Sequence, residues 1–275
     1  MFCWFEFNTD AKEGIILIAL NSSRLLNAMS LESIIGNFPS DRAISTLGFA
    51  QFKNCYDPAL LRGVLDEALK LESIASNKFL SLKHLRKAHV HIPQIESLML
   101  NKHRLEYLSL LAGCELEPYP IPTAAAHINY YRRGEPAIGY HTDGAAMVEL
   151  IPLYIDGAKA NTATLIYKGS ASARSSFGEL QAPFSEDEII RVTQEVGASV
   201  LLQGRCLLHA AEINSESERI TLVLVLRSKH QPWKDDNTLF RLLQDDLPED
   251  VVQPWVDDVV NRQYPAYLRA KNIHS

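Results

Sequence analysis

Cysteine is scarce in this chain: among 275 residues there are four, at positions 3, 55, 114 and 206. Their scatter excludes a Cys-based metal motif and a disulfide framework, and it suits a reduced, cytoplasmic compartment. Long apolar runs are missing too. The stretch 14–20 is too short to span a bilayer, and residues 1–7 lack the basic segment and long apolar core of an export signal. Positive charge is not in excess: the net charge is −6, which argues against an overall footprint for nucleic acid. Internal repeats and low-complexity tracts are absent. What is present is apolar material, 47% of the residues, enough for one large domain or one core with a helical extension.

The chain is organised around Gly139-Tyr140-His141-Thr142-Asp143. Residues i and i+2 of a strand point to the same face, so His141 and Asp143 can offer an imidazole and a carboxylate to one metal. A third ligand must come from elsewhere, and His209 is the best candidate. It lies between apolar stretches: 196–202 reads as a buried strand, Gly204 as a turn, and 205–209 as a second strand ending in His209. After the polar loop 212–218, residues 219–226 read as a third strand, β-branched and apolar. Arg219 opens that strand, and a buried arginine there needs an anionic partner. Two His and one carboxylate on one face leave metal positions open, as in non-heme Fe(II) sites.

His-x-Asp, the distal His209 and the following Arg219 together resemble the Fe(II)/2-oxoglutarate-dependent dioxygenases. The resemblance covers roughly residues 120–228. It implies that His141, Asp143 and His209 bind Fe(II), that Arg219 binds the far carboxylate of 2-oxoglutarate, and that Thr221 assists. Asn129-Tyr130-Tyr131-Arg132-Arg133-Gly134 is similar to the Asn-x-Tyr-x-x-Gly stretch of the alkylation-repair branch, which implies that Asn129 and Tyr131 contact the cosubstrate. Dioxygen would be the second cosubstrate, and succinate and carbon dioxide the by-products. Hydroxylation of a C–H bond is the default outcome implied, with desaturation or ring closure open. Halogenating relatives have a small residue in place of the carboxylate, so Asp143 argues against that outcome.

The remaining chain fits a scaffold. Residues 15–20 read as a buried strand and 48–52 as an entry strand; Ser30 can cap a short helix reaching Phe38. Asp57 and Pro58 open a clear helix with Leu61, Val64, Leu65 and Ala68 on its apolar stripe. Lys83, His84, Arg86, Lys87, His89 and His91 form either a solvated basic face or a patch for an anionic substrate group. Pro93 opens a long helix that Gly113 ends, and 115–117 reads as linker. From about 124 the chain is mostly strands. His127, Asn129 and Tyr131 share one strand face, and Pro152 marks an edge or a bulge in 147–155. Tyr154 has no assigned face. Residues 161–167 read as a further strand, 170–178 as a flexible loop, and 186–188 as a short acidic turn or helix start. Helical segments follow around 239–243 and 255–260.

Many short strands preceded by helices predict an α+β protein, mainly β with flanking helices: a double-stranded β-helix (jelly roll) core buttressed by N-terminal helices. We read 1–275 as a single domain with a helical and mixed region (1–119), a jelly-roll catalytic core (120–228) and a C-terminal helical extension (229–275). The expected substrate is a small soluble metabolite bearing an anionic group, with Arg132, Arg133 and Arg174 as candidate contacts. Two other functions stay open: nucleic-acid dealkylation within the same superfamily, and a cupin-type metal-binding isomerase or sensor. Intact His141, Asp143, His209 and Arg219 argue against a noncatalytic interaction module. The oligomeric state is not readable.

Overall fold

The computed structural model describes residues 24–54, 56–76, 82–156, 162–170, 184–212, 217–244 and 246–272. The expected strand at 15–20 and the candidate contact Arg174 lie outside the described residues. In chain order the strands are β1 (Leu25–Ser30), β2 (Leu47–Lys53), β3 (Lys83–Leu85), β4 (Leu116–Pro118), β5 (Ala126–Tyr131), β6 (Met147–Ile155), β7 (Ala163–Tyr167), β8 (Ile189–Thr193), β9 (Ala198–Leu202), β10 (His209–Glu212) and β11 (Arg219–Ser228). A main antiparallel sheet runs β1-β2-β9-β6-β11-β5-β3, with β4 against the end of β11. A smaller antiparallel sheet runs β10-β7-β8. No strand pairing joins the two sheets among the described residues, so the jelly roll is not a closed barrel.

β11 is buried along its whole length because both edges and both faces are covered. Alternate residues serve different layers. Val223 and Val225 point between the sheets and pack with Val148, Val200, Ile166 and Val192. Ile220, Leu222 and Leu224 point outward onto helices, where Leu61, Val64, Ile95 and Leu98 meet them. The N-terminal helices thus buttress the main sheet, as the sequence predicts. Pro152 sits in β6, a central strand, and the register shift opposite it falls between Ile220 and Thr221. It is therefore the bulge alternative that holds. Tyr154 is directed to solvent, with 36% exposure.

The helix that Asp57 caps is found at Pro58–Leu71. The long helix expected from Pro93 is two, Pro93–Met99 and Lys102–Ala112. Asn101 makes the break: its side chain accepts from the Arg104 N–H and starts the second helix. The helix capped by Ser30 stops at Ile35, short of Phe38, because Gly36 takes a left-handed φ of 77°. The stretch read as linker, 115–117, contributes to β4, and Glu117 pairs with Arg227 across it at 2.8 Å. β8 is a strand the sequence did not signal. Residues 205–208 form a turn in place of the expected strand, and His209 begins β10. Cys206, Leu207 and Leu208 are apolar because they are buried in the core, not because they are extended. The C-terminal helices span Leu239–Leu242, Pro248–Asp258 and Tyr264–Ala270. No helix among the described residues is long and apolar enough to cross a membrane.

Candidate metal centre

A cavity of about 450 Å³ opens between the two sheets, and the expected metal ligands line it. His141 and His209 are direct antiparallel partners. Each backbone N–H donates to the other's carbonyl at 2.9 Å, which puts both side chains on one face. Asp143 is tethered in turn by its N–H to the carbonyl of Gly204 at 3.0 Å. One Asp143 oxygen, Oδ1, lies 3.5 Å from His141 Nε2 and 3.7 Å from His209 Nε2. The ligand atoms of the three residues fall within 4.8 Å of one another.

The imidazole tautomers are set by the backbone. His141 Nδ1 is 2.8 Å from the carbonyl of Gly139 and His209 Nδ1 is 2.9 Å from that of Leu207, so each Nδ1–H donates and each Nε2 lone pair faces the centre. Burial pushes His209 down to about 4, against the opposing pull of Asp143. Burial raises Asp143 less than His209 and His141 lower it, and the carboxyl falls to about 2. At His141 burial lowers the imidazole less than Asp143 and the Gly139 carbonyl raise it, so this ring holds its proton above the ordinary range and would release it to a metal. At neutral pH a neutral His209 imidazole and an ionised carboxylate thus meet a second imidazole that a cation would deprotonate. Asp143 Oδ2 is buried without a hydrogen-bond partner. A cation with open positions fits this donor set, and it would relieve that orphaned oxygen. Space for the carboxylate depends on Gly204: a Cβ there would stand 1.8 Å from Oδ2.

Arg219, Thr221, Asn129 and Tyr131 line the same cavity. Their grouping follows from register, since Arg219 pairs with Tyr131 and Thr221 with Asn129 across β11 and β5. Arg219 is 3% exposed. Its Cζ lies 4.4 Å from the Tyr131 ring centroid and its Nη1 reaches the carbonyl of Ala163, at 3.4 Å. No carboxylate among the described residues pairs with it. Arg219 Nε, Thr221 Oγ1 and Asn129 Oδ1 are all buried without partners among the described residues. A buried guanidinium left in this state calls for an anion with at least two acceptor oxygens. The far carboxylate of 2-oxoglutarate fits that requirement.

Other expected contacts fall elsewhere. Arg132 forms ion pairs with Glu72 and Glu218, and Arg133 with Asp156. Neither lines the cavity, because both follow the end of β5 where the chain leaves the sheet. Of the basic cluster at 83–91, His84 and Arg86 reach the cavity, while Lys83 and Lys87 pair with Glu72 and Asp250. His127 lines the cavity beside Asn129. Several further lining residues escaped the sequence reading, Thr164, Gln194, Tyr140 and Arg241 among them. Tyr140 holds a buried hydroxyl without a partner, and Arg241 comes from a helix after β11. No local pattern marks Arg241, whereas Tyr140 could have been flagged as the neighbour of His141.

No family model and no curated protein matches this chain. Solved structures do. The non-heme alpha-ketoglutarate-dependent carbocyclase SnoK from nogalamycin biosynthesis is 16% identical, with 74% of this chain and 87% of that one covered and a TM-score of 0.50. HygX from Streptomyces hygroscopicus, with nickel and 2-oxoglutarate bound, is 11% identical over 66% of this chain and 83% of its own, with a TM-score of 0.50. EctD from S. alaskensis, with 2-oxoglutarate and 5-hydroxyectoine, is 13% identical over 74% of this chain and 84% of its own, again with a TM-score of 0.50. The chain thus has the jelly-roll fold of the 2-oxoglutarate-dependent non-heme oxygenases.

Proposed function

We propose that the protein is an Fe(II)/2-oxoglutarate-dependent dioxygenase that oxidises, by default hydroxylates, an unactivated C–H bond of a small molecule. The observation that carries this reading is Arg219: a buried guanidinium with no acidic partner among the described residues, in the same cavity as two imidazoles and a carboxylate with the spacing of metal ligands. His141, Asp143 and His209 would hold the metal. Arg219 would pair with the far carboxylate of 2-oxoglutarate, with Thr221 Oγ1 and Asn129 beside it. Bound there, iron with 2-oxoglutarate and dioxygen supplies oxidation of a C–H bond, with release of succinate and carbon dioxide.

The chain's own groups fix orientation and supply an apolar wall. The carbonyls of Gly139 and Leu207 hold both imidazoles in the ligating tautomer. Val148, Leu150 and Val223 make part of the lining apolar, which suits the hydrocarbon portion of a substrate. Among the structures of similar fold, HygX holds nickel with 2-oxoglutarate, and EctD holds 2-oxoglutarate with 5-hydroxyectoine. A small-molecule substrate is in keeping with the latter.

Anaerobic addition of Fe(II) and then 2-oxoglutarate tests the assignment. The expected result is a visible charge-transfer band that needs both components and is lost in His209→Ala. Succinate release should then follow admission of air with a substrate panel of amino acids and other metabolites. Metal binding that is indifferent to 2-oxoglutarate would overturn the assignment and favour the isomerase or sensor reading.

A further inference from the structure

The cavity carries more positive charge than the proposed cosubstrate uses. Arg86, Arg219 and Arg241 line it, and Asp143 is the one carboxylate among the described lining residues. With the metal and 2-oxoglutarate in place, on the reading above, Asp143 and the near carboxylate of the cosubstrate offset the metal's charge and the far carboxylate offsets Arg219. Arg86 is matched by Asp246 at 2.6 Å, an acid whose side chain is only 7% exposed. Arg241 remains. Its neighbour Asp236 is already engaged by Arg42 at 2.7 Å and Arg205 at 2.8 Å. No ion pair is made by Arg241 among the described residues.

Arg241 is nonetheless firmly placed. Its backbone N–H donates to Thr238 Oγ1 at 3.3 Å, capping the short helix. The next residue, Leu242, is 3% exposed in the core between the sheets. The approach to that helix is held at Asn237, whose carbonyl accepts from Trp255 Nε1 at 3.1 Å. A fixed backbone carrying an exposed guanidinium into a cavity that holds a metal site is an arrangement for meeting a ligand, not for packing.

We propose that the substrate carries a carboxylate and that Arg241 binds it at the mouth of the cavity, making Arg241 the specificity-determining residue. The group is a carboxylate because one unmatched guanidinium offers a planar fork that a carboxylate fills, with one charge to neutralise. A phosphate dianion would need a second unmatched cation, and Arg86 is already paired. The bound carboxylate fixes one end of the substrate, and the apolar lining at Val148, Leu150 and Val223 receives the rest. Of the substrate contacts expected from the sequence, Arg132 and Arg133 do not line the cavity and Arg174 lies outside the described residues; Arg241 comes from the helix after β11.

The test uses the full-length protein loaded anaerobically with Fe(II) and 2-oxoglutarate. The probes are small aliphatic and aromatic carboxylic acids, amino acids included, each paired with its primary amide, together with a set of sugar phosphates. Two signals are read: perturbation of the charge-transfer band and, in air, stimulated succinate release. Acids should give both signals and their amides neither. In Arg241→Gln the acid concentration for half effect should rise by about tenfold or more, as for the loss of one bidentate charge-assisted pair. The dissociation constant for 2-oxoglutarate should stay within about twofold, since Arg219 carries that contact. Amides or sugar phosphates as effective as acids, silence of every acid on the panel, or an unchanged half effect in Arg241→Gln would each overturn the proposal. Absence of the band from the wild-type protein would strike the metal and cosubstrate reading instead, a separate failure.

Discussion

Thr221 and Asn129 stand directly opposite each other where β11 pairs with β5, and each holds a buried oxygen without a partner. Two residues along, Arg219 and Tyr131 are opposed in the same way. Four side chains on one sheet face therefore form a rectangle in which Arg219 Nε, Thr221 Oγ1 and Asn129 Oδ1 find no partner among the described residues. Such a cluster is destabilising until an anion fills it.

A first prediction concerns this trade between stability and binding. Arg219→Met should raise the stability of the ligand-free protein, by on the order of 1–3 kcal/mol, since an unmatched buried charge is removed. The same variant should lose the thermal stabilisation that 2-oxoglutarate gives the wild type, about 2.7 kcal/mol at a hundredfold excess over the dissociation constant. Thr221→Val should weaken 2-oxoglutarate by only about 1 kcal/mol, one hydrogen bond's worth. Melting curves with and without ligand measure all three, and a ligand-free Arg219→Met protein less stable than wild type would contradict the unmatched-charge account.

Gly204 gives a second. With a Cβ 1.8 Å from Asp143 Oδ2, Gly204→Ala must displace the carboxylate. Co(II) or Fe(II) affinity should drop by at least about tenfold, while the circular dichroism spectrum is retained. Gly63, in the helix Pro58–Leu71, is the control. A Cβ there meets nothing within 4 Å, so Gly63→Ala should leave metal binding unchanged and stabilise by about 0.5–1 kcal/mol. Equal metal affinities in the two variants would refute the assigned role of Gly204.

The third is a pH dependence. Burial pushes Asp235 up to about 6, more than Tyr119, Asn237 and the nearby arginines lower it. The folded state therefore holds this proton more tightly than the unfolded state does. Below the ordinary carboxylate range both states are protonated and nothing is contributed. As pH rises from about 4 to about 6, the unfolded state ionises first and folding loses stability, by roughly 3 kcal/mol once both are ionised. Asp235→Asn should remove that loss. Its melting temperature should match wild type near pH 4 and exceed it at pH 8; a difference that stays flat across this range would contradict the assignment.

A fourth separates Arg132 from the cavity. Its partners are Glu72 and Glu218, partly exposed, so Arg132→Ala should cost at most about 1 kcal/mol of stability. Titration of the charge-transfer band should give an unchanged affinity for 2-oxoglutarate. A marked loss of cosubstrate affinity would return Arg132 to the site.

The parts of the fold visible in the sequence are those where one cause dominates. β11 reads as a strand because every residue from Arg219 to Ser228 is buried. His127, Asn129 and Tyr131 read as one strand face from their alternation alone, and that face lines the cavity. Legibility fails where tertiary context decides. Cys206 to Leu208 look like a strand, yet they are apolar because a turn is folded under the core. Asn101 looks like a tolerated polar residue within a helix, yet its side chain starts a new one. Gly204 reads as a turn glycine, and only the position of Asp143 reveals why no larger residue fits. Arg241 is invisible locally, since a lone arginine in a polar tail gives no clue to which cavity it meets.

The two imidazoles are joined through the main chain: each N–H bonds the other's carbonyl, and Asp143 hangs from Gly204 by the same kind of bond. Where the donors stand is thus written in peptide groups, which every residue except proline possesses, while what they donate is written in side chains. Position and chemistry can vary independently. A substitution at 141, 143 or 209 alters the kind of atom offered to a metal without dissolving the frame that offers it. A frame of this sort tolerates a change of ligand, and so of metal, by single steps, each passing through a folded protein.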